Sequence, residues 1–249
     1  MTLERTIIAT SLKLYFSHER TMRWVDEVAA TSIPRGIEVI VLPSFLAIPA
    51  TVARLAPRGV SVGGQNLFDE DWGPFTGEVS AAQLREAGCA FAEIGHSERE
   101  RLFGETEHDI SRKLTAAWRN DLCPILCIGE PERLPAAVAA QWCADKLSRL
   151  LDAAGPSGGD LVVAYEPVWA IGASVPAAAD HVATVAAALR AAAVARADLG
   201  DTRVIYGGTA GPGDLARFGP ALDGLFLGRL AHIPSALARI LEECEKIDV

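Results

Sequence analysis

Short apolar runs alternate with longer amphipathic stretches along the 249 residues of the chain. Most of the runs are nearly continuous and rich in β-branched residues, which is typical of parallel strands covered on both faces. They predict strands at Thr6–Leu12, Ile37–Pro43, Val60–Asn66, Cys89–Gly95, Cys123–Gly129, Leu161–Trp169, Thr202–Thr209 and Leu222–Gly228. The stretches between them predict helices at Glu19–Ala30, Ile48–Leu55, Ala81–Ala87, Thr106–Asn120, Ala136–Leu151, Ala178–Ala197, Asp214–Phe218 and Ser235–Lys246. Ser80 with Gln83 predicts a capping box at the start of the third helix.

Eight strand–helix units can form either an open doubly wound sheet or a closed barrel. The barrel is favoured, because eight is its number of units and about 250 residues is its typical length. No G-x-G-x-x-G motif follows the first strand, where a dinucleotide-binding fold would place it. No long linker or change of composition divides the chain. We therefore predict an α/β fold with one domain over residues 1–249, a (β/α)8 TIM barrel.

Composition and charge narrow the possible classes of function. Half of the residues are hydrophobic and 22% are charged, as in an ordinary soluble enzyme, and no apolar run is long enough to cross a bilayer. The net charge of −9 argues against nucleic acid or an anionic membrane as the main partner. Residues Met1–Arg5 lack the pattern of a signal peptide, so we expect a cytoplasmic protein.

The five cysteines include no C-x-x-C pair. Cys123 and Cys127 are four residues apart on one apolar run, so in a strand their side chains would point to the same face. We expect buried, reduced thiols that pack as small hydrophobic side chains. No metal site is expected, because the sequence lacks the cysteine spacing and the histidine partners of a zinc site.

Polar residues at the predicted strand ends mark the candidate site, because active sites of parallel barrels lie at the carboxyl ends of the strands. Lys13 follows the first strand, whereas Lys113, Lys146 and Lys246 fall on predicted helix surfaces. Lys13 is therefore the lysine placed to neutralise a phosphate or a developing oxyanion. A solvated loop lysine is the alternative interpretation.

His96 directly follows the fourth predicted strand, and Glu166 follows the apolar run Leu161–Tyr165 within the sixth. A histidine at a helix N-terminus is expected to stay neutral at pH 7, because the helix dipole disfavours its protonated form. It could then donate a hydrogen bond to a substrate carbonyl, or serve only as a surface cap. Glu166 follows an apolar strand, where desolvation would raise its pKa toward that of a general base. A structural salt bridge is the alternative. The small residues of Ala170–Ala179 suit a mobile lid.

Small residues also follow the last three predicted strands. Gly172 follows the sixth strand, Thr209 ends the Gly-Gly-Thr segment of the seventh, and Gly228 ends the eighth. In phosphate-binding barrels the loops after the last strands present backbone amides to the phosphate. We therefore predict that these three residues bind a phosphate group.

Several segments together resemble the triosephosphate isomerase family, over almost the whole chain. They are G-G-Q-N (Gly63–Asn66), F-T-G-E-V-S (Phe75–Ser80), E-I-G-H-S-E-R (Glu93–Arg99), L-C-I-G-E (Leu126–Glu130), A-Y-E-P-V-W-A-I-G (Ala164–Gly172) and Y-G-G (Tyr206–Gly208). The motifs of the fourth and sixth strands are highly specific, and both occur in the family's order.

The resemblance implies a cofactor-independent sugar-phosphate isomerase with Glu166 as the proton-transferring base, His96 as the neutral electrophile and Lys13 as the stabilising cation. This pair of glutamate and neutral histidine is the known arrangement of triosephosphate isomerase itself. The resemblance also implies a homodimer, in which Gln65–Glu78 is the interdigitating loop that begins with Gln65. Thr76 would then reach the partner's site, near the residues equivalent to Lys13 and Glu98.

The chain departs from the family pattern around the substrate. Ser11-Leu12-Lys13 stands where the family has N-W-K, which we expect to remove bulk beside the reacting end of the substrate. Ala173–Pro176 replaces the usual T-G-K-T of the lid, and Arg229 replaces the second glycine of a final G-G. Arg229 could bind the phosphate or fill the space that the glycine leaves.

These departures beside an unchanged proton-transfer set indicate related chemistry on another sugar phosphate. The sequence resembles the branch of the family that acts on erythrulose phosphates, whose extra hydroxymethyl group needs the room. Ordinary triosephosphate isomerase and another sugar phosphate are the alternatives within the family. A Schiff-base aldolase, a metal-dependent isomerase and a non-catalytic sugar-phosphate binding protein are the rival classes. The aldolase would need a lysine deep at a strand end, usually beyond the first strand, and only Lys13 is available. The metal-dependent isomerase is disfavoured because the histidines are scattered and only His96 is at a predicted strand end. A binding protein would have no reason to combine Lys13, His96 and Glu166 at three separate strand ends.

Overall fold

The computed structural model describes residues 6–156, 158–173 and 175–245. Strands and helices alternate along these ranges in the predicted order. The strands are β1 (Thr6–Ser11), β2 (Ile37–Leu42), β3 (Val60–Gly64), β4 (Phe91–Ile94), β5 (Cys123–Ile128), β6 (Leu161–Tyr165), β7 (Thr202–Tyr206) and β8 (Gly224–Leu227). The α-helices are α1 (His18–Ala29), α2 (Ile48–Leu55), α3 (Ala81–Glu86), α4 (Ser97–Phe103), α5 (Glu107–Arg119), α6 (Ala136–Ala154), α7 (Ala179–Val194), α8 (Asp214–Phe218) and α9 (Pro234–Cys244).

The strands form a closed parallel barrel. Each strand pairs with its neighbour in the sequence, and β8 pairs with β1 to complete the ring. Gly224 begins β8 at this closure, where a Cβ atom would lie 1.8 Å from the carbonyl oxygen of Ile7, so only glycine fits. The predicted (β/α)8 barrel is confirmed.

Side chains alternate along each strand between the interior of the barrel and its outer wall. Ile7 and Ala9 of β1 and Phe91 of β4 belong to the interior cluster, whereas a larger cluster fills the space between barrel and helices. Cys123 and Cys127 both lie in the interior cluster, as their spacing predicted. All five cysteines are buried and free.

The helices pack around this barrel with well-formed ends. The predicted capping box of α3 is confirmed: the Ser80 hydroxyl accepts from the N–H of Gln83, and the Gln83 side chain accepts from the N–H of Ser80. A second capping box, of Thr106 and Asp109, begins α5. Among the described residues no helix is both long and apolar enough to cross a membrane.

Some predicted boundaries were wrong. The strand expected over Leu161–Trp169 ends at Tyr165, and Val168–Ala170 forms a short 3-10 turn. Apolar residues continue past the strand end because this loop is itself partly buried. Helix α4, which directly follows His96, was not predicted as a separate element. None of its residues is buried, so it has no apolar periodicity to reveal it.

The prediction that Lys113 and Lys146 lie on helix surfaces was also wrong. The Nζ atom of Lys113 lies 2.5 Å from a carboxylate oxygen of Glu105, and Lys146 pairs with Glu100 at 2.8 Å. Both lysines are buried, because a carboxylate partner offsets the loss of hydration. Lys246, with the end of the helix predicted over Ser235–Lys246, lies outside the described residues, as do Met1–Arg5.

Candidate active site

A cavity of about 520 Å³ opens at the carboxyl ends of the strands, a size that suits a small ligand. The predicted catalytic and substrate-binding residues all line it: Ser11, Lys13, His96, Glu98, Glu166, Gly172, Thr209, Gly228 and Arg229. Gln65 and Thr76, which were assigned to the dimer loop, are not part of this lining. Strand ends that are far apart in the sequence therefore supply one site.

Glu166 directly follows β6 and turns its carboxyl group into the cavity. It is 6% exposed, and its Oε2 atom has no hydrogen-bond partner within the described residues. Gly207, which directly follows β7, leaves space for this carboxyl group, since a Cβ atom at position 207 would lie 2.5 Å from Oε1 of Glu166. Burial, together with the nearby charge of Glu93, raises the pKa of Glu166 to about 8. Such a carboxyl group has the basicity that a general base needs near neutral pH.

His96 turns its Nε2 atom toward the carboxyl group of Glu166. Its Nδ1 atom accepts a hydrogen bond of 3.0 Å from the N–H of Glu98, so the neutral ring carries its proton on Nε2. Nε2 lies 3.2 Å from Nζ of Lys13 and 3.5 Å from Oε2 of Glu166. Burial and the charge of Lys13 lower the pKa of His96 to about 4, which supports the expected neutral ring. Burial, which the sequence prediction did not invoke, is the largest of these causes.

Lys13 reaches the cavity from a strained backbone position, with a left-handed φ of 47°. The side-chain amide of Gln65 in the same chain donates a hydrogen bond of 3.1 Å to the backbone carbonyl oxygen of Lys13 and so supports this conformation. Burial disfavours the ammonium ion, but the hydrogen bond and charge of Glu98 and the charges of Glu166 and Glu93 raise the pKa of Lys13 above its ordinary value. Lys13 is therefore a fixed cation in the site.

The replacement of the family's N-W-K by Ser11-Leu12-Lys13 has two different consequences. Ser11 is buried at the cavity wall, where its hydroxyl donates a hydrogen bond of 2.9 Å to Oε2 of Glu93. Leu12 points the other way, into the core between the barrel and the helices. The expectation that both residues enlarge the pocket is therefore wrong for Leu12, because neighbouring residues of a strand face opposite sides.

Among the charged and histidine side chains of the cavity, the sequence analysis missed three: Glu93, Arg101 and His232. Glu93 had a detectable signal, since it is the charged residue of the apolar strand Phe91–Ile94, two positions after the inward-facing Phe91. His232 lies in a 3-10 turn after β8, and burial lowers its pKa. The cavity therefore contains a second histidine in addition to His96.

The loops after β6 and β7 are joined by a hydroxyl group. The Thr209 hydroxyl lies 2.9 Å from the carbonyl oxygen of Ala170 and 3.0 Å from that of Ala173. The N–H of Ala177 donates to the hydroxyl of Tyr206 at 3.1 Å. Thr209 thus anchors the predicted lid, and its role as a phosphate ligand stays a prediction. Ser174, within the altered lid segment, lies outside the described residues.

Gly172, Gly228 and Arg229 meet at the mouth of the cavity. Gly172 has a left-handed φ of 71°, and a Cβ atom there would lie 3.5 Å from the guanidinium of Arg229. Arg229 is exposed to solvent rather than packed into the space of a missing glycine. Its position fits a ligand of a phosphate group better than a space-filling side chain, and this role also stays a prediction.

The arrangement can catalyse proton transfer next to a carbonyl group. A buried base, a neutral N–H donor and a fixed cation converge on one point, which suits removal of a proton from carbon and stabilisation of the resulting enediolate oxygen. The described residues contain no group of three or more side chains able to hold a metal ion.

Comparison with known proteins places these features in one family. The family profile described as triosephosphate isomerase matches residues 6–244. The chain is 43% identical to an L-erythrulose-1-phosphate isomerase of Pectobacterium atrosepticum, over 98% of this chain and 97% of the relative. It is 38% identical to a triosephosphate isomerase of Moorella thermoacetica and 36% identical to one of Pseudomonas putida, in each case over 91% of this chain and 93% of the relative.

Proposed function

This chain belongs to the triosephosphate isomerase family, and we propose that it interconverts four-carbon keto sugar phosphates such as L-erythrulose 1-phosphate and D-erythrulose 4-phosphate. It is a sugar-phosphate isomerase that needs no cofactor. The observation that carries the chemistry is the convergence of Lys13 and Glu166 on Nε2 of His96, at 3.2 Å from Nζ of Lys13 and 3.5 Å from Oε2 of Glu166. The four-carbon substrate is supported by the 43% identity to the Pectobacterium enzyme over nearly the whole chain.

The reaction begins with loss of a proton from carbon. In L-erythrulose 1-phosphate the carbonyl group is at C2, and Glu166 removes the hydrogen from C3. The electron pair of the C3–H bond forms the C2–C3 double bond of an enediolate. The Oε2 atom of Glu166 is the acceptor for this proton, because it accepts no hydrogen bond from the described residues.

The enediolate then collapses toward the isomeric ketone. Lys13 and the Nε2–H of His96 stabilise the negative charge on the C2 oxygen. Nζ of Lys13 and Nε2 of His96 lie 3.2 Å apart, so both can contact this one oxygen. The hydroxyl proton of O3 is lost as O2 gains one, and Glu166 returns its proton to C2. The carbonyl group has then moved to C3 with no net oxidation or reduction, which explains why no cofactor is required.

The phosphate group occupies the other side of the cavity in this proposal. Gly172, Thr209 and Gly228, on the loops after β6, β7 and β8, provide backbone amides there, and Arg229 provides a positive charge. Binding at this end holds the reacting carbons beside Glu166 and His96. Serine at position 11 leaves space at the opposite end of the substrate.

A substrate panel tests the proposal. The wild-type enzyme is assayed with L-erythrulose 1-phosphate, dihydroxyacetone phosphate and a five-carbon keto sugar phosphate. We expect the highest kcat/KM with the four-carbon sugar. Some activity on the triose is expected, because a difference of one carbon unit in a pocket changes binding by only ~1–3 kcal/mol. A higher kcat/KM on dihydroxyacetone phosphate would assign the chain to triose metabolism instead.

We also propose that the protein is a homodimer formed through the loops at the strand ends. Leu14, Leu46 and Trp72 are exposed apolar side chains on three of these loops, at 92%, 87% and 64% of their full accessible surface. A subunit interface at these loops would cover these side chains. The loop Gln65–Glu78 would carry Thr76 to the partner's site, because Thr76 is exposed and lies outside its own cavity.

Ion pairs join this loop to helix α5 within the same chain. Arg112 pairs with Glu70 at 2.9 Å, and Arg119 pairs with Asp71 at 3.0 Å. Light scattering should give twice the chain mass of 26.4 kDa, and Trp72→Glu should shift the mass toward the monomer. A monomeric wild-type protein with full activity would exclude the dimer.

The same proposal places the enzyme in the cytoplasm. All five cysteines are buried and unpaired, which suits a reducing compartment. Fractionation of cells that express the chain from its own gene tests this location. Activity found outside the cytoplasmic fraction would contradict it.

A further inference from the structure

Glu93 is a buried carboxyl group that the reaction described above does not use. It lies on β4, two residues after Phe91, and its side chain points to the barrel interior. It is 3% exposed and forms part of the cavity lining. The apolar interior cluster, which includes Phe91 and Ile7, lies beneath it. A carboxyl group above an apolar layer loses most of its hydration, so its presence calls for a reason.

Ser11 fixes the orientation of this carboxyl group. Ser11 is the last residue of β1 and follows Ile7 and Ala9 on the inward face of that strand. Its hydroxyl donates a hydrogen bond of 2.9 Å to Oε2 of Glu93. Strands β1 and β4 are not neighbours in the barrel, so this hydrogen bond crosses the floor of the cavity.

The pair of Ser11 and Glu93 does not stabilise the folded protein in the absence of a ligand. Burial raises the pKa of Glu93 to about 7, against the charge of Lys13 and the hydrogen bond of Ser11. One hydrogen bond from a hydroxyl group offsets only part of the desolvation penalty of a buried carboxylate. The charge of Glu93 also opposes ionisation of Glu166. A group that is unfavourable to stability and faces a ligand cavity is a candidate for binding a ligand.

We propose that Glu93, oriented by Ser11, hydrogen-bonds the hydroxyl group of the carbon that distinguishes a four-carbon keto sugar phosphate from a triose phosphate. This inference rests on the proposed function. The extra hydroxymethyl group is attached to the reacting carbon, at the end of the substrate away from the phosphate. The loops that suit the phosphate follow β6, β7 and β8, whereas Glu93 lies on β4 across the barrel.

The pair would select against the triose as well as for the tetrulose. Dihydroxyacetone phosphate has only hydrogen where the hydroxymethyl group would be, so the buried carboxyl group would be left without a partner. Sites that hydrogen-bond a substrate hydroxyl can reject the analogue that lacks it by up to ~10⁴–10⁵, far more than removal of a methylene from an apolar pocket achieves. Specificity would therefore come from Glu93 and Ser11 rather than from space alone.

Kinetics of four variants test this inference on two substrates. Glu93→Leu removes the hydrogen-bonding group, Glu93→Gln keeps its shape, and Ser11→Ala removes its orienting partner. We expect Glu93→Leu to reduce kcat/KM for L-erythrulose 1-phosphate at least 100-fold more than for dihydroxyacetone phosphate. Ser11→Ala should change the ratio about tenfold, and Glu93→Gln should fall between them. Glu105→Gln, which alters a buried carboxyl group outside the cavity, is the control and should leave the ratio unchanged.

The outcomes separate this inference from the proposed function. If the wild-type enzyme prefers the triose, the four-carbon function fails and the inference fails with it. If the wild-type enzyme prefers the tetrulose but Glu93→Leu and Glu93→Gln reduce both activities equally, only the inference is overturned. Glu93 would then act solely through the charge it places near Glu166. Glu93→Gln, which is nearly isosteric, decides the matter if Glu93→Leu does not fold.

Discussion

Two buried glutamates lie at the ends of neighbouring strands, and their surroundings differ completely. Glu130 follows β5 and is fully buried, and Glu166 follows β6 and is 6% exposed. The carboxyl group of Glu130 accepts hydrogen bonds from the Tyr165 hydroxyl at 3.2 Å and from the Trp169 indole N–H at 2.7 Å, and Nε2 of His181 lies 3.1 Å away. Glu166 has an oxygen atom without any such partner.

The difference shows how the fold separates structural from chemical carboxyl groups. A carboxyl group whose oxygens are all occupied by protein donors holds its neighbours in place and has no capacity for a substrate proton. The carboxyl group of Glu166 keeps one oxygen free and faces the cavity, so it can accept a proton from carbon. A structural salt bridge was the alternative interpretation of Glu166 from sequence, and the structure assigns the purely structural environment to Glu130 instead.

The largest expected effect comes from removing the free carboxylate. Glu166→Gln should reduce kcat on L-erythrulose 1-phosphate by about 10²–10⁴, because a positioned general base contributes that much. Glu130→Gln, the matched change at the neighbouring strand, should reduce kcat less than tenfold. Both variants are assayed on both sugars, with circular dichroism to check folding. Activity of Glu166→Gln within tenfold of the wild type on both sugars would show that Glu166 is not the base.

The pH dependence should be the next largest effect. The pKa of Glu166 is raised to about 8, and the base must be ionised, so kcat/KM should rise tenfold per pH unit below about pH 8 and level off above it. His96 does not contribute to this rise of kcat/KM with pH, because its pKa is lowered to about 4. The phosphate group of the substrate titrates near pH 6, so the range above pH 6 reports the enzyme. A flat profile between pH 6 and 8 would show that Glu166 is not the base.

A smaller effect is expected at Glu130, on stability. In Glu130→Gln one oxygen becomes an NH₂ group facing the donors Tyr165 and Trp169, so at least one buried hydrogen bond is lost. We expect a loss of about 1–3 kcal/mol in the free energy of unfolding, or several degrees in Tm. Glu19→Gln on exposed helix α1 is the control and should change Tm little. An unchanged Tm in Glu130→Gln would mean that the cluster does not stabilise the fold.

The sequence predicted the barrel and the three central residues of the site because both depend on local patterns. Apolar runs of strand length alternate with amphipathic stretches, and polar residues at the carboxyl ends of the strands must meet in a closed barrel. Lys13, His96 and Glu166 were identified in this way. Helix α4 was missed because it packs no apolar face against the core.

Other features depend on contacts between separate elements of the fold, which no local pattern records. Lys113 and Lys146 were placed on the surface because a helix pattern does not show the carboxylates that pair with them. Leu12 was assigned to the pocket because the resemblance gives the position of a residue along the chain, but not the face of the strand from which its side chain projects. The hydrogen bond between Ser11 and Glu93 joins residues 82 positions apart, and only the structure reveals it.

The last expected effect tests whether the free carboxyl group of Glu166 is unfavourable to the folded state. Its pKa is raised on folding, so the folded protein holds this proton more tightly than the unfolded chain does. Stability is therefore unaffected below the ordinary pKa of a glutamate and falls as the pH rises toward 8, by at most ~1.4 kcal/mol per pH unit for one group. Glu166→Gln removes this penalty, so its Tm should exceed that of the wild type at pH 8 and approach it at pH 5. Glu130→Gln should be less stable than the wild type at both pH values. Loss of stability in Glu166→Gln at pH 8 would show that both glutamates are structural, and the contrast between the two strands would disappear.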